Sequence, residues 1–451
     1  MSTQFKIEFD NFFARLDAMT SINLTGTVTR ANGHVVESIG PPASLGELIE
    51  VVGDGRRIPL EVVGFRDSRT ISMPISDIDG LQSGDTVISR GRFPEIPVGR
   101  ELLGRVIDAT GEPLDGKGPL RARTSRALKS PPVNPLARRE INRPLETGVR
   151  TVDSCLTLGR GQRVGIFGGS GVGKSTLLAM MAKHTSADVN VLAMVGERGR
   201  EVRAFIENEL AEGIERSVVV VATSEHSPLL RIRAALAATT IAEYFREQQR
   251  DVLLMMDSLT RFAMAQREVG LAAGEPPTMR GYTPSAFSSL PPLVERAGPM
   301  RDAGSITGIY TVLVEGDDMS DPIADTARSL LDGHFVLSRA LAERGHFPSI
   351  DLPSSLSRLM TSLVNADHRK AATRLRGYLA TLAESQDLIQ LGAYKKGSSP
   401  ELDRAIARRE TIEEFLRQEL NESSSMEESV ARLAETVGSS PAANHDEAET
   451  T

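Results

Sequence analysis

Apolar and polar positions change rhythm several times along the chain. Between residues 5 and 19, Phe5, Phe9, Phe12, Phe13, Leu16 and Met19 recur at near-helical spacing, with Lys6, Asp10, Arg15 and Asp17 between them. That spacing predicts an amphipathic helix whose apolar face packs either on its own domain or on a partner or membrane surface. From Thr25 to about Phe93 the texture becomes short β-rich runs, such as Ile58-Pro59-Leu60-Glu61-Val62-Val63 and Thr86-Val87-Ile88, broken by Gly and Asp turns. A small β-barrel is expected there. The central region then alternates short, wholly apolar runs with helical stretches: Val164 to Phe167, Val189 to Val195, Ser217 to Val221, Val252 to Met256 and Tyr310 to Val314. Strands buried on both faces read this way, and their alternation with helices predicts a parallel α/β sheet that binds ligands at its C-terminal strand edges. From about Ala366, the Leu-, Ala- and Arg-rich stretches Arg374 to Leu382 and Leu402 to Leu416 predict a helical domain. Apart from a short helix near Met426 to Val437, the Ser-, Glu- and Ala-rich tail from Asn421 to Thr451 reads as disordered.

The expected organisation is therefore a helix over 1–23, a barrel over 24–93, a parallel α/β domain over 94–365, a helical domain over 366–420 and a tail over 421–451. A chain of 451 residues exceeds one ordinary domain. The formal net charge of −8 gives no electrostatic case for nucleic acid. Cys155 is the single cysteine, so an intrachain disulfide is impossible and a reducing cytoplasm fits. No run approaches the ~20 apolar residues that span a bilayer, and the first residues lack the basic and apolar regions of a signal peptide. A soluble protein that can still dock on a membrane is expected.

The chemistry lies after the first central strand. Gly168-Gly169-Ser170-Gly171-Val172-Gly173-Lys174-Ser175-Thr176 has the spacing of a phosphate-binding loop. Its backbone N–H groups and the helix start behind them would cradle the phosphates of ATP or GTP. Lys174 would reach the β- and γ-phosphates, and the Ser175 hydroxyl would ligate Mg²⁺. Asp257 closes the apolar run from Val252, where a carboxylate either holds Mg²⁺ through a water or merely caps the next helix; the unbroken run before it favours the metal role. Glu197, in Gly196-Glu197-Arg198-Gly199-Arg200-Glu201, follows another strand, where it could polarise the attacking water. Spacing alone leaves it equally readable as a solvated loop residue.

The order of these motifs, followed by Val314-Glu315-Gly316-Asp317-Asp318-Met319, Gly345-His346-Phe347-Pro348 and Ser357-Arg358, resembles the rotary ATP synthase catalytic subunit superfamily. Within it the chain is most similar to the ATPases of type III protein export. Leu391 to Ser398 and Asp332 to Leu341 look most like the flagellum-specific branch, with the virulence injectisome ATPases as the near alternative. The resemblance covers about Leu24 to Gln418 and implies a RecA-like P-loop ATPase domain over 94–365. It implies that Glu197 activates water, that Arg198 contacts the γ-phosphate, and that Glu201 matches a second acidic position near the metal. It further implies that Arg358 is an arginine finger reaching a neighbouring subunit's site and that Phe347 stacks on adenine. Glu197 and Arg358 stand in one chain, so copies of it can complete each other's sites, and a closed homohexamer ring is expected. Implied partners are a stator-like regulator at the N-terminal helix, a coiled-coil stalk protein, export chaperones with their substrates, and the membrane export gate at the cytoplasmic face. Two other classes fit less well. A hexameric RNA translocase should carry a basic, aromatic barrel, yet residues 24–93 hold no Trp or Tyr. A non-catalytic nucleotide-binding subunit would replace the catalytic Glu, and Glu197 is present.

Overall fold

The computed structural model describes residues 24–438 except 54, 77, 315 and 317; the predicted helix over 5–19 lies outside the described residues. They form two compact units, one reaching residue 95 together with 268–276, the other made of 96–267 and the residues from 277 onward.

The first unit is built on six strands, β1 (Leu24–Asn32), β2 (Val35–Ile39), β3 (Leu48–Gly53), β4 (Arg56–Arg66), β5 (Arg69–Pro74) and β6 (Thr86–Arg92). Antiparallel pairing in the order β1-β2-β5-β4-β3-β6 closes them into a barrel, which leaves no free edge. Alternation does the packing: Ile58, Leu60 and Val62 of β4 point inward with Val28, Val36, Ile49, Val51 and Val87. Each such side chain contributes roughly 1.5–3 kcal/mol by leaving water.

The second unit is organised by a sheet of nine strands among the described residues. Its main path runs β14 (Leu356–Ser357), β13 (Gly333–Val336), β8 (Arg163–Gly168), β12 (Ser305–Leu313), β11 (Asp251–Asp257), β9 (Val189–Val195), β10 (Ser217–Ala222) and β7 (Arg105–Asp108). Neighbours from β13 to β7 are parallel. β14 is antiparallel to β13, pairing Gly333 with Ser357. The apolar runs of the sequence occupy the middle of this sheet, and β9 and β10 are buried along their whole length. Helices α1 (Arg150–Cys155), α2 (Lys174–His184), α3 (Gly199–Ala204), α4 (Pro228–Glu247) and α5 (Leu259–Ala273) connect or flank the strands. Parallel alignment gathers the ends of β8, β9, β11 and β12 at one edge, so residues far apart in sequence converge there.

The C-terminal helices α6 (Ala366–Glu384) and α7 (Pro400–Leu416) are present and belong to the same compact unit as the sheet. Ala371, Leu375, Ile412 and Phe415 share one apolar cluster with Val164, Ile166 and α1. The short helix expected near Met426 to Val437 is present in the described part of the tail. Ser425 caps α8 (Met426–Val437) in a capping box with Glu428, and Leu433 and Val437 are buried in the same cluster. A sparsely apolar sequence folds here because its few apolar positions fall on one helical face that meets α1, α6 and α7.

Candidate active site

β8 ends at Gly168, and the chain turns through Gly171 (φ 77°) and Gly173 (φ 93°) before α2 begins at Lys174. Both angles are left-handed, which glycine adopts without steric penalty. The first-turn N–H groups of α2 thus face the loop, ready for an anion. Lys174 is buried, and its Nζ donates back to the Gly168 carbonyl at 3.1 Å and to that of Gly169. Burial lowers its pKa, while the carboxylates of Asp257 and Glu197 act in the opposite direction. Ser170 and Gly171 are exposed, Val172 is buried and receives the Ser349 hydroxyl on its carbonyl (2.6 Å). Ser175 and Thr176 are half-buried on the first turn, and the Thr176 side chain hydrogen-bonds Glu209.

Two strands away, Asp257 ends β11. Its carboxyl is buried and accepts the Thr311 hydroxyl of β12 at 2.5 Å. Burial pushes its pKa up, opposed by that hydrogen bond and by Lys174. Glu197 follows β9 with only 17% of its side chain exposed. Burial first and Asp257 second raise it to about 7, with Arg261 pulling it down. The solvated-loop alternative therefore does not describe this residue. Perturbed acids with a specific charged neighbour are a mark of catalytic sites.

Lys174, Glu197 and Asp257 thus form one electrostatic cluster. Glu201 stands at its margin, exposed, 3.4 Å from Arg198 and 3.9 Å from Arg200, and its charge acts on both buried acids. Arg198 is not brought in: its side chain is 76% exposed and turned to Glu201. Phe347 is half-exposed and lies beside the loop, since a Cβ built at Gly173 would stand 3.5 Å from its ring. Arg358 is not near this chain's own loop. Its N–H donates to Asp332 (3.0 Å), whose N–H donates to Arg163 at the start of β8. The loop lies at the other end of that strand, about 16 Å away at ~3.3 Å per residue.

The structure adds groups that sequence reasoning missed. Arg261 lies one helical turn past Asp257, with its N–H on the capping hydroxyl of Ser258 (3.2 Å) and its Nε 3.9 Å from Glu197. That Nε is buried without a hydrogen-bond partner, a donor that a phosphate oxygen could satisfy. The only sequence signal was a basic residue at i+4 from Asp257. Thr311 had none, because it reaches Asp257 across paired strands.

The donors suit Mg²⁺, a hard cation that keeps waters and shares itself with phosphates: a hydroxyl at Ser175 and a buried carboxylate at Asp257. Among the described residues there is no cluster of His, Cys, Asp or Glu able to cage a metal unaided. Nor is any helix among them long and apolar enough to cross a membrane.

A parallel sheet with this loop, a buried acid ending a neighbouring strand and a second acid poised near neutrality defines a P-loop nucleoside triphosphatase. The model of the ATP synthase alpha/beta family, nucleotide-binding domain, matches residues 148–357, and that of the T3SS EscN ATPase C-terminal domain matches 364–435. A flagellum-specific ATP synthase of Bacillus subtilis is 50% identical over 92% of this chain and 95% of its own length. A type 3 secretion system ATPase of Sinorhizobium fredii is 50% identical over 91% of each chain. The assembled ATPase EscN of the enteropathogenic E. coli type III secretion system superposes with a TM-score of 0.87 at 44% identity, over 91% of this chain and all of that one. The chain belongs to the ATP synthase alpha/beta family, in the branch of the flagellum-specific and type III secretion ATPases. It is an ATP-hydrolysing enzyme with an N-terminal barrel, a central nucleotide-binding domain and a C-terminal helical region.

Proposed function

We propose that this enzyme hydrolyses MgATP to energise type III export of flagellar proteins. It would work at the cytoplasmic face of the membrane export gate, releasing or unfolding substrates delivered with their chaperones. Two flagellum-specific relatives at 50% identity support that assignment, as do the flagellar phrases at Asp332 to Leu341 and Leu391 to Ser398. The observation that carries the chemistry is Glu197, a carboxyl held at about 7 beside Lys174, Asp257 and Arg261.

The loop from Gly168 to Thr176 grips the phosphates and Lys174 neutralises them. Ser175 would hold Mg²⁺ and Asp257 would hold it through a water, with Glu201 a further acid at the margin of the cluster. Mg²⁺, when bound with ATP, offsets charge on the β- and γ-phosphate oxygens. Glu197 takes a proton from a water whose oxygen attacks the γ-phosphorus; the bond to the bridging oxygen breaks, and ADP leaves with its electron pair. Arg261 meets phosphate charge from within the subunit, and Arg198 joins when its loop turns inward. Phe347 stacks on adenine.

Arg358 completes the site of a neighbouring copy. The pairing of Ser357 with Gly333 supports this, because Arg358 then stands at the far end of β8 from its own loop and on an exposed edge. A finger of this kind is worth roughly 10³–10⁵ in rate. Its supply in trans implies a closed homohexamer; EscN has been solved assembled, and in complex with its central stalk EscO. A stalk protein in the ring's centre and a stator-like regulator at the N-terminal helix are the corresponding partners here. In a strain lacking the gene, the wild-type chain should restore both phosphate release in the purified ring and swimming, whereas Glu197→Gln should restore neither. Swimming supported by a turnover-dead variant would remove hydrolysis from export.

A further inference from the structure

Arg150 opens α1 and is 1% exposed, a rare burial for a guanidinium. Its Nη1 donates to the carbonyls of Phe415 (3.0 Å) and Arg417 (2.9 Å), and its Nη2 to the Glu422 carboxylate. The Thr151 hydroxyl lies 3.4 Å from the Leu416 carbonyl. These carbonyls end α7, where a helix has no donors of its own to offer. The cap therefore comes from a helix more than 260 residues earlier in the chain.

Gln418 is 5% exposed and completes the knot. Its Oε1 accepts the Arg150 N–H at 2.7 Å, and its Nε2 donates to the carbonyls of Gly148 (2.7 Å) and Glu422 (2.8 Å). Both amide hydrogens are used, so the side chain has one orientation. Its backbone N–H then donates to the carbonyl of Phe347 at 3.0 Å. One residue earlier, Arg417 Nε lies 3.4 Å from His346 Nδ1. Phe347 itself is 43% exposed, so packing does little to fix its ring, and the hydrogen bond from Gln418 is made to its own carbonyl.

We propose that Gln418, anchored by Arg150, is a positioning residue for the nucleobase. It fixes the backbone of Phe347 and hence the face the ring presents, and it leaves the phosphate machinery at Lys174, Glu197 and Asp257 untouched. Stacking depends on ring offset and angle, so a shifted backbone weakens recognition of the base selectively. The inference rests on the reading of Phe347 as the adenine-stacking residue.

Gln418→Met keeps the length of the side chain and removes its hydrogen bonds. In the full-length ring it should raise KM for ATP roughly tenfold, the scale of one base–aromatic stack, with kcat changed less than about twofold. Inorganic tripolyphosphate, which has phosphates and no base, should inhibit wild type and variant equally. Phe347→Ala should give the same pattern, and the double variant should be no worse than Phe347→Ala alone. Equal losses for ATP and tripolyphosphate would mean a merely structural role and overturn the proposal. A changed ratio in Phe347→Ala with none in Gln418→Met would overturn it while leaving base stacking intact; no change in Phe347→Ala would overturn both. Hydrogen exchange in wild type needs no variant to fold: ATP should protect residues 415–422 more than tripolyphosphate does, and equal protection refutes the coupling.

Discussion

Replacing Glu197 by Gln should stabilise the nucleotide-free protein at neutral pH while removing turnover. The folded chain holds this carboxyl at about 7 against an ordinary value of 4.5. Below 4.5 the group is protonated in folded and unfolded chains alike, and its burial adds no ionisation penalty. As pH rises toward 7 the unfolded chain ionises first, so stability drains from the wild type until the folded carboxyl ionises too. At about 1.4 kcal/mol per pH unit the full loss is about 3 kcal/mol, and the small exposure of the side chain leaves little solvent to screen it. The neutral amide of the variant would not titrate. The difference in melting temperature between variant and wild type should therefore widen by about 5 °C between pH 5 and 8.5, measured by calorimetry in EDTA without nucleotide. The same variant should bind ATP and lose roughly 10²–10⁴ in kcat. A stability difference that is flat with pH, or that narrows toward alkaline pH, would refute the burial argument; wild-type phosphate release would remove Glu197 from the mechanism.

Lys174→Ala should abolish tight ATP binding in a fluorescent-nucleotide titration, because its buried ammonium is the cation held against the loop carbonyls; unchanged affinity would contradict the Lys174 assignment. Arg261→Gln should lower kcat and move the acid limb of the pH–rate profile to higher pH, since Arg261 holds the Glu197 pKa down; an unmoved limb would show that the two do not interact during turnover. Arg358→Ala and Lys174→Ala should each be nearly inactive, yet mixed rings should recover activity at intermediate ratios, where an intact pocket meets an intact finger. Strong activity from Arg358→Ala alone would exclude an essential finger.

The phosphate loop, the buried strands and Asp257 were legible because each is a local pattern: fixed glycine spacing, unbroken apolar runs, a carboxylate closing one of them. Glu197 was legible only as a candidate, since what separates it from a surface residue is the burial created by β9, β11 and α5 together. Thr311 and Arg261 act across strand pairing and helix geometry, so neither advertises itself in sequence. The segment of α8 was legible as a short helix but not as part of the core. Its composition is polar, and only the receiving face of α1, α6 and α7 gives Leu433 and Val437 a place to go. Nothing local in the sequence marks Arg150, because the carbonyls it caps at the end of α7 lie more than 260 residues away.

The place of Arg358, just past β14, has a bearing on when ATP is consumed. With the proposed finger at one end of the sheet and the pocket at the other, a lone chain would possess every catalytic group and still not bring them to one place. Hydrolysis then depends on encounter, and specific activity should climb steeply with protein concentration before reaching a plateau. On that reading newly made chains would idle in dilute solution, and whatever gathers them at one location would switch them on without altering a single catalytic residue.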